Sequence, residues 1–484
     1  MPGADPRPRS TPPADDVAND SAYRGVAAAT ADSISAVIWG TERRNLTIGL
    51  ILTVSMAAFE SLAVATVLPA VVKDIGGLEW YGWVFSGFML ANLVSITTAG
   101  HAADQQGVAR PFVLGSGFFV GGLLGAGLAP AMPLVVASRI AQGLGAGAIS
   151  SVAYVAIARA YPVGARPRML AMLSSAWVVP GLIGPALAGA VADHVSWRWV
   201  FLGLAPPTVL ASALAVPSLR RLGPSATAAT KTSRTLTALC LATGTGAALF
   251  GLGCADLRLA AAVTVVGVGL ALPALTRLLP TGTLRARRGL PAAVATVGLL
   301  GFAFFAAEAF LPLSLTEVRG QSTMVSGLAL TAATLTWTAG AWIQARLAAR
   351  ASRRRLTAGG LLLIIGGVAG IAVVVTTAVP VAVAALAWGI AGLGMGLAYS
   401  TVTLVVLESA AAGEEGASSS AAQLAFVLGT ALGTGIGGTM VALATTSAAH
   451  STRTGIAVVD ASAIAATMLA LLTARALPAA GPSA

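Results

Sequence analysis

Long apolar runs separated by short polar breaks fill the chain from residue 46 to residue 477. About 20 consecutive, mostly apolar residues carry a helix across a hydrocarbon core of roughly 30 Å. Fourteen stretches meet that requirement, near 46–69, 81–100, 111–130, 133–158, 168–192, 198–217, 235–254, 258–279, 290–316, 324–347, 356–379, 380–407, 417–446 and 454–477. The breaks at 254/258 and 379/380 are so short that they define the helix ends only loosely. Residues 1–45 depart from the pattern, being rich in Pro, Asp, Ser and Arg. They are too long and too acidic for a signal peptide and predict a retained, disordered tail, with a short C-terminal tail at 478–484. The pattern predicts an all-α polytopic membrane protein.

Composition agrees. Hydrophobic residues make up 56% of the chain and charged residues 10%, against about 25% charged in a soluble domain. Water alone would leave a core of this size without enough polar surface to cover it. With the N-terminus inside, 23 of the 29 Lys and Arg residues fall on the cytoplasmic side, while the outer loops hold Lys73, Arg198, Arg258, Arg319 and Arg453. This skew follows the positive-inside rule and supports an even number of crossings, with both termini cytoplasmic in the cell membrane. The net charge of +11 therefore faces anionic lipid. Nucleic acid is not an expected partner, because no basic run is interleaved with aromatics on a soluble domain. Cys240 and Cys254 lie about 21 Å apart along one predicted helix and cannot pair. His101, His194 and His450 sit near loops without a second ligand at metal-binding spacing. Neither metal nor cofactor is expected, and no H-E-x-x-H or supported G-x-S-x-G points to an enzyme. The two lysines, Lys73 and Lys231, follow no phosphate-binding glycine loop, which excludes an ATP-driven pump.

The chain also repeats itself. Ser86-Gly87-Phe88-Met89-Leu90, ending in Thr98-Ala99-Gly100, returns as Ser326-Gly327-Leu328-Ala329-Leu330, ending in Thr338-Ala339-Gly340. Leu68-Pro69 followed by Asp74 is matched by Leu311-Pro312 followed by Glu317, and the stretch 141–147 by 390–396. Three matches in one order divide the chain into a six-helix bundle at 46–220, a two-helix insert at 235–279 and a second six-helix bundle at 290–477. An even insert leaves both halves in the same orientation, as parallel repeats with a substrate site between them near the midplane. That arrangement favours alternating access over a channel.

Four motifs, each in its topological place, resemble those of the major facilitator superfamily, in particular its fourteen-span drug:proton antiporter branch. The loop after the second span reads Gly100-x-x-x-Asp104-Gln105-x-Gly107-x-x-Arg110, similar to the family's G-x-x-x-D-R-x-G-x-x-R. Arg139-Ile140-Ala141-Gln142-Gly143 matches R-x-x-Q-G, and Gly184-Pro185-Ala186-Leu187-Ala188-Gly189 is close to the antiporter signature G-P-x-x-G-G. Trp197-Arg198-Trp199 opens the sixth span as in drug antiporters. The resemblance implies two six-helix bundles related by a pseudo-twofold axis, with the insert between them. It further implies a monomer that exports small, amphipathic or cationic compounds for protons, the alternatives being an exporter of an endogenous lipid or metabolite and a proton-coupled symporter. Asp104 would be a cytoplasmic gate latch, paired with Arg110 and capping a neighbouring helix, or else an ordinary solvated loop acid. Gln105 replaces the family's Arg, and Gln344 stands where the second half would repeat Asp104, so the charge pattern is incomplete. Gly181, Gly184 and Gly189 allow close helix approach, and Pro185 removes a backbone donor and can bend its helix.

Ionisable residues inside spans are few and costly. Glu60 lies about 21 Å along its helix from Leu46 and nine residues before Pro69, the distance at which the branch's first-span signature places its aspartate. Glu308 occupies the first span of the second half, four residues before Pro312. A buried carboxyl holds its proton more tightly and can exchange it near neutral pH. Glu60 or Glu308 is thus a candidate proton carrier, with a neutral packing role or a contact to a cationic substrate as the alternatives. Arg139 is the one cation expected within a span, tuning a neighbouring acid or completing a polar network with Gln142. Glu408 and Asp460 read as interface residues near span ends. The topology is directly testable: with Cys240 and Cys254 replaced by serine, Ala255→Cys should react with an impermeant maleimide on intact cells, and Ser225→Cys only after permeabilisation. The reverse pattern would invert the orientation.

Overall fold

The computed structural model describes residues 36–223, 232–348, 350–376, 379–411, 414–446 and 451–478. Most of the expected N-terminal tail and nearly all of the C-terminal one lie outside the described residues. The last part of the expected tail, 36–45, is folded instead. A helical turn at 36–39 packs Ile38 fully into the core, Thr47 Oγ1 donates to its carbonyl at 3.0 Å, and Arg43 Nε donates to Ala160 O at 2.8 Å.

The helices follow the apolar runs closely: α1 (Arg44–Ile75), α2 (Tyr81–Gln106), α3 (Ala109–Gly127), α4 (Met132–Ala160), α5a (Arg166–Ser175), α5b (Val178–His194), α6a (Arg198–Leu202), α6b (Ala205–Arg220), α7 (Thr232–Leu252), α8 (Leu257–Leu278), α9 (Leu290–Leu313), α10 (Thr323–Leu347), α11 (Arg353–Thr376), α12 (Ala382–Glu408), α13 (Glu415–Thr446) and α14 (Thr452–Ala474). Among the described residues, thirteen helical stretches are long and apolar enough to cross a membrane. The remaining long helix, α10, is diluted by threonines and by Gln344, yet it packs between α5b and α12 as part of the second bundle.

Two departures have local causes. The first span runs on past residue 69, because α1 carries Pro69 within its last turns and stops at Gly76, whose φ of 69° no side-chain-bearing residue adopts easily. The fifth span is broken at Ala176–Trp177 and not at Pro185, which sits inside α5b. Pro180 has no N–H to offer the Ala176 carbonyl, and Ser55 Oγ of α1 donates to that oxygen at 3.1 Å. A proline-freed backbone acceptor is satisfied across the bundle, as the bilayer demands.

Two six-helix bundles, α1–α6b and α9–α14, meet where α5b packs on α10, α2 on α13, and α1 on both α9 and α10. The first two are built from small residues. A side chain on Gly82 would meet Thr434 O at 2.7 Å and Gly438 Cα at 2.8 Å, and one on Gly327 would run into the Pro185 carbonyl. Because α2 and α10 occupy matching places in the duplication, these are two versions of one seam. They lie toward the end of the molecule remote from the start of α1, here called the far end. Tyr81 Oη donates to Ala309 O there at 3.0 Å.

Asp193, at the close of α5b, spans the same gap. Its two carboxylate oxygens accept the backbone N–H groups of Thr323 (3.1 Å) and Met324 (2.9 Å). These are the first residues of α10, where unsatisfied donors and the helix dipole both favour an anion.

The insert pairs α7 with α8 through Gly244, Gly251 and Gly267. Ala238, Leu241 and Ala242 of α7 pack with Leu90 and Leu93 of α2 and with Val427, Leu428 and Ala431 of α13. The insert thus covers one of the two seams, while Val265 and Val266 of α8 are about 70% exposed and suit contact with lipid tails. Replacing Asp193 by alanine should leave the Thr323 and Met324 amides uncapped. Their hydrogen exchange should accelerate by roughly 10- to 100-fold, the equivalent of 1–3 kcal/mol for bonds to a charged acceptor. Unchanged protection would mean that the seam closes without this carboxylate.

Candidate functional site

Helical spacing brings the predicted polar residues together in the first bundle. Arg139 and Gln142 are three residues apart on α4 and share a face; Glu60 approaches from α1. Arg139 Nη1 donates to Glu60 Oε1 and, at 2.6 Å, to Gln142 Oε1, while its Nε donates to Val84 O of α2 at 3.1 Å. The guanidinium carbon stands 4.1 Å from the Phe88 ring centroid. Glu60 is 1% exposed, Arg139 2% and Gln142 not at all. Within this dry centre, Glu60 Oε2 and Gln142 Nε2 have no hydrogen-bond partner among the described residues. A carboxylate held on one oxygen only is able to bind a proton on the other.

The second bundle builds its counterpart differently. Trp388 takes the duplicated place of Arg139, and Ala303 that of Glu60. Trp388 stacks on the neighbouring Phe304 at 4.9 Å, so an aromatic pair joins α9 to α12 where an ion pair joins α1 to α4. Glu308, one turn further along α9, is partly exposed and makes no hydrogen bond or ion pair among the described residues. The structure therefore does not place the two acids in one cluster, and they differ sharply in surroundings.

At the near end, Asp104 is half-exposed and pairs with Arg159 at 2.7 Å. The pairing expected with Arg110 does not form, and Asp104 caps no helix among the described residues. Arg159 reaches the loop from α4, its guanidinium also binding Ala103 O and Gly223 O, whereas Arg110 is exposed without a partner among the described residues. Gly107 ends α2 with φ 85°, and Gly100 lies against Ser151. In the α5b motif, Gly181 faces Thr334, the Pro185 carbonyl faces Gly327 and Gly189 faces Met324, while Gly184 lies against the Phe59 ring of α1. Three of the four motif positions thus sit on the seam between bundles.

Other acids sort by depth. Glu408 pairs with Arg353 at 2.8 Å. Asp460 is not the interface residue expected; it is 4% exposed inside α14 and its Oδ2 has no partner among the described residues. Asp193 escaped notice in the sequence, although it closes the Gly/Pro-rich span four residues before Trp197. A far-end cleft of about 650 Å³ holds Asp193 together with Lys73, Asp74, Arg198 and Glu317. Arg139 is not among the residues that line it.

Comparison with known proteins follows from this geometry. Residues 49–434 match the sequence profile of the Major Facilitator Superfamily. "Multidrug resistance protein 3" of Bacillus subtilis is 31% identical over 154 residues, 32% of this chain and 30% of that protein. An uncharacterised MFS-type transporter of Mycobacterium tuberculosis is 32% identical over 305 residues, 59% of this chain and 43% of that protein. The chain thus spans less than half the length of these curated relatives. A bacterial homologue of the human lysosomal transporter Spinster, solved in an inward-facing and unoccupied conformation, superposes with a TM-score of 0.66 over 90% of this chain and 98% of its own. At 13% identity that likeness speaks to the fold.

The buried pair makes a stability test. Arg139→Gln leaves Glu60 without its counter-charge and should destabilise the protein by about 3–5 kcal/mol. The double variant Glu60→Gln/Arg139→Gln should recover part of that loss, read by denaturant titration in detergent. No recovery would mean that the two residues are not energetically coupled.

Proposed function

The chain belongs to the Major Facilitator Superfamily, and from that premise we propose that it exports small, amphipathic or cationic compounds in exchange for protons by alternating access. Membership makes it an integral membrane transporter and not an enzyme. The observation that carries the proposal is the half-satisfied Glu60 carboxylate, buried beside Arg139 and Gln142 at mid-span. A proton arriving on Glu60 removes the charge that holds Arg139; its loss restores the pair. Each protonation state therefore favours a different arrangement of α1 against α4, which is the differential interaction a coupled carrier needs. Arg139 and Gln142 position and tune the acid in this reading, and Glu308 lines the substrate cavity.

Export is supported by the α5b motif, by the Trp197-Arg198-Trp199 start of the sixth span, and by relatives named for multidrug resistance and multidrug efflux. Gly181, Pro185 and Gly189 serve as the pivot seam, with Gly184 packing against α1. Gly100, Asp104, Gly107 and Arg110 form the loop that latches the near end when it closes, a state in which Asp104 exchanges Arg159 for a helix cap. With residues 46–220 and 290–477 as the moving halves and 235–279 as an insert, the far end is the outside. The near end and both termini are then cytoplasmic, in the cell membrane, and one chain suffices for transport.

Proteoliposomes carrying a pH gradient test the proposal, using efflux of a fluorescent lipophilic cation. Glu60→Gln should reduce gradient-driven export at least 10-fold while leaving downhill exchange intact. Full gradient-driven export by Glu60→Gln/Glu308→Gln would remove it, and uptake along the imposed proton gradient would replace antiport by symport.

A further inference from the structure

At the near end, the exit of the insert and the end of the last helix are tied into one corner of the second bundle. The Gly289 amide donates to Ala476 O at 3.2 Å. Arg354 Nε donates to Leu477 O, and Leu477 itself is fully buried. The connection between α8 and α9 is thereby held beside the start of α11 and the end of α14. That connection is also firm in itself. Thr283 is buried and its hydroxyl donates to Pro280 O at 2.7 Å, while the amides of Arg285 and Arg287 both return to Gly282 O. Ala286, between them, has a φ of 45°, the one positive φ outside glycine among the described residues. Such a backbone is costly and persists only where the surroundings enforce it. The turn sets Arg285, Arg287 and Arg288 together on the exposed surface. Arg355, next to Arg354, and Arg475, next to Ala476, stand at the same corner and are exposed as well.

These five guanidinium groups form no ion pair among the described residues. Glu408, at the near end of α12, is already taken by Arg353. Like charges gathered at one corner repel until an anion joins them. Toward mid-span the surface turns apolar. Leu362 lies two turns beyond Arg355 on α11, and Met468 and Leu472 lie two turns and one turn before Arg475 on α14; they are 59%, 54% and 56% exposed. Since α11 and α14 pack on each other, these side chains form one strip under the charges. We propose that Arg285, Arg287, Arg288, Arg355 and Arg475 bind the headgroup of an anionic phospholipid, whose acyl chains lie on the α11–α14 strip. Guanidinium forks match phosphate oxygens in pairs, and basic pockets between helices suit anionic headgroups. A soluble anion would use the arginines but not the strip. Bound there, the lipid fastens the insert's exit to the second bundle. The first half offers no such corner: Arg221 follows α6b as Arg475 follows α14, but no insert loop arrives beside it. The site concerns lipid and not cargo, so it is independent of the transport reading.

Binding of tail-labelled phosphatidylglycerol to the full chain in detergent micelles tests the site, with tail-labelled phosphatidylcholine as the neutral probe and millimolar inorganic phosphate as competitor. Phosphatidylglycerol should bind the wild type at least 10-fold more tightly than phosphatidylcholine, and phosphate should not displace it. Arg288→Gln/Arg475→Gln should weaken phosphatidylglycerol at least 10-fold at an unchanged melting temperature, and Arg287→Gln/Arg355→Gln should do the same by a separate pair. Arg288→Lys/Arg475→Lys should keep most of the affinity. Arg220→Gln/Arg221→Gln, an equal loss of charge in the first half, should bind as the wild type does. Equal binding of the two lipids, or affinity untouched by both glutamine pairs at the corner, would overturn the assignment. An equal loss in the first-half pair would reduce it to overall charge, and displacement by phosphate would replace the lipid by a free anion.

Discussion

A guanidinium cannot be left alone inside a bilayer, and the first bundle is arranged around that constraint. Arg139 binds a carboxylate from α1, an amide from its own helix, and a carbonyl and a ring face from α2. Three helices are therefore fixed to one another by a single side chain. Since apolar side chains gain nothing by leaving lipid, such polar ties and close small-residue packing are what hold membrane helices together. The tie is also incomplete, with one oxygen of Glu60 and the nitrogen of Gln142 unused among the described residues. A fully satisfied network would be a rigid staple; this one retains a place for a proton.

The contacts between bundles are of another kind. Glycine against backbone carbonyl, at Gly82/Thr434 and Gly327/Pro185, gives close approach without interlocking side chains. Surfaces of that sort separate and re-form without repacking a core. Asp193 adds a directional element, because both of its bonds reach from the first bundle to the start of α10 in the second. The insert lies over the α2–α13 seam and leaves α5b–α10 uncovered. The two seams, alike by duplication, are thus unlike in their surroundings.

The apolar pattern made the helices legible nearly to their ends, since length and hydropathy are what the bilayer selects. The duplication likewise puts Trp388 in the place of Arg139 from the sequence alone. Hidden features were those decided by a neighbour distant in sequence. The α5 break depends on Ser55 taking over a carbonyl that Pro180 leaves free, and the partner of Asp104 is Arg159, 55 residues away, not the nearby Arg110. Asp193 showed no helix-start pattern of its own, because the helix it caps belongs to the other half. The contacts among Phe305, Trp337, Tyr399 and Phe426 were invisible for the same reason: these rings come from α9, α10, α12 and α13, and no linear spacing connects them.

Duplication alone would give two equivalent halves and two equivalent sites, which is more symmetry than coupled transport can use. A carrier that binds its proton and its substrate in identical environments has no physical basis for telling them apart. Here the divergence is concentrated at the α1–α4 and α9–α12 contacts, while the α2–α13 and α5b–α10 seams keep their common small-residue construction. The polar pair ties its helices through charge, which a proton can cancel; the Phe304–Trp388 stack ties its helices through area, which a proton cannot. In the proposed transport cycle, protonation of Glu60 would loosen one bundle and leave the other intact. A change confined to one half, transmitted across seams shared by both, is how a symmetric scaffold acquires a direction.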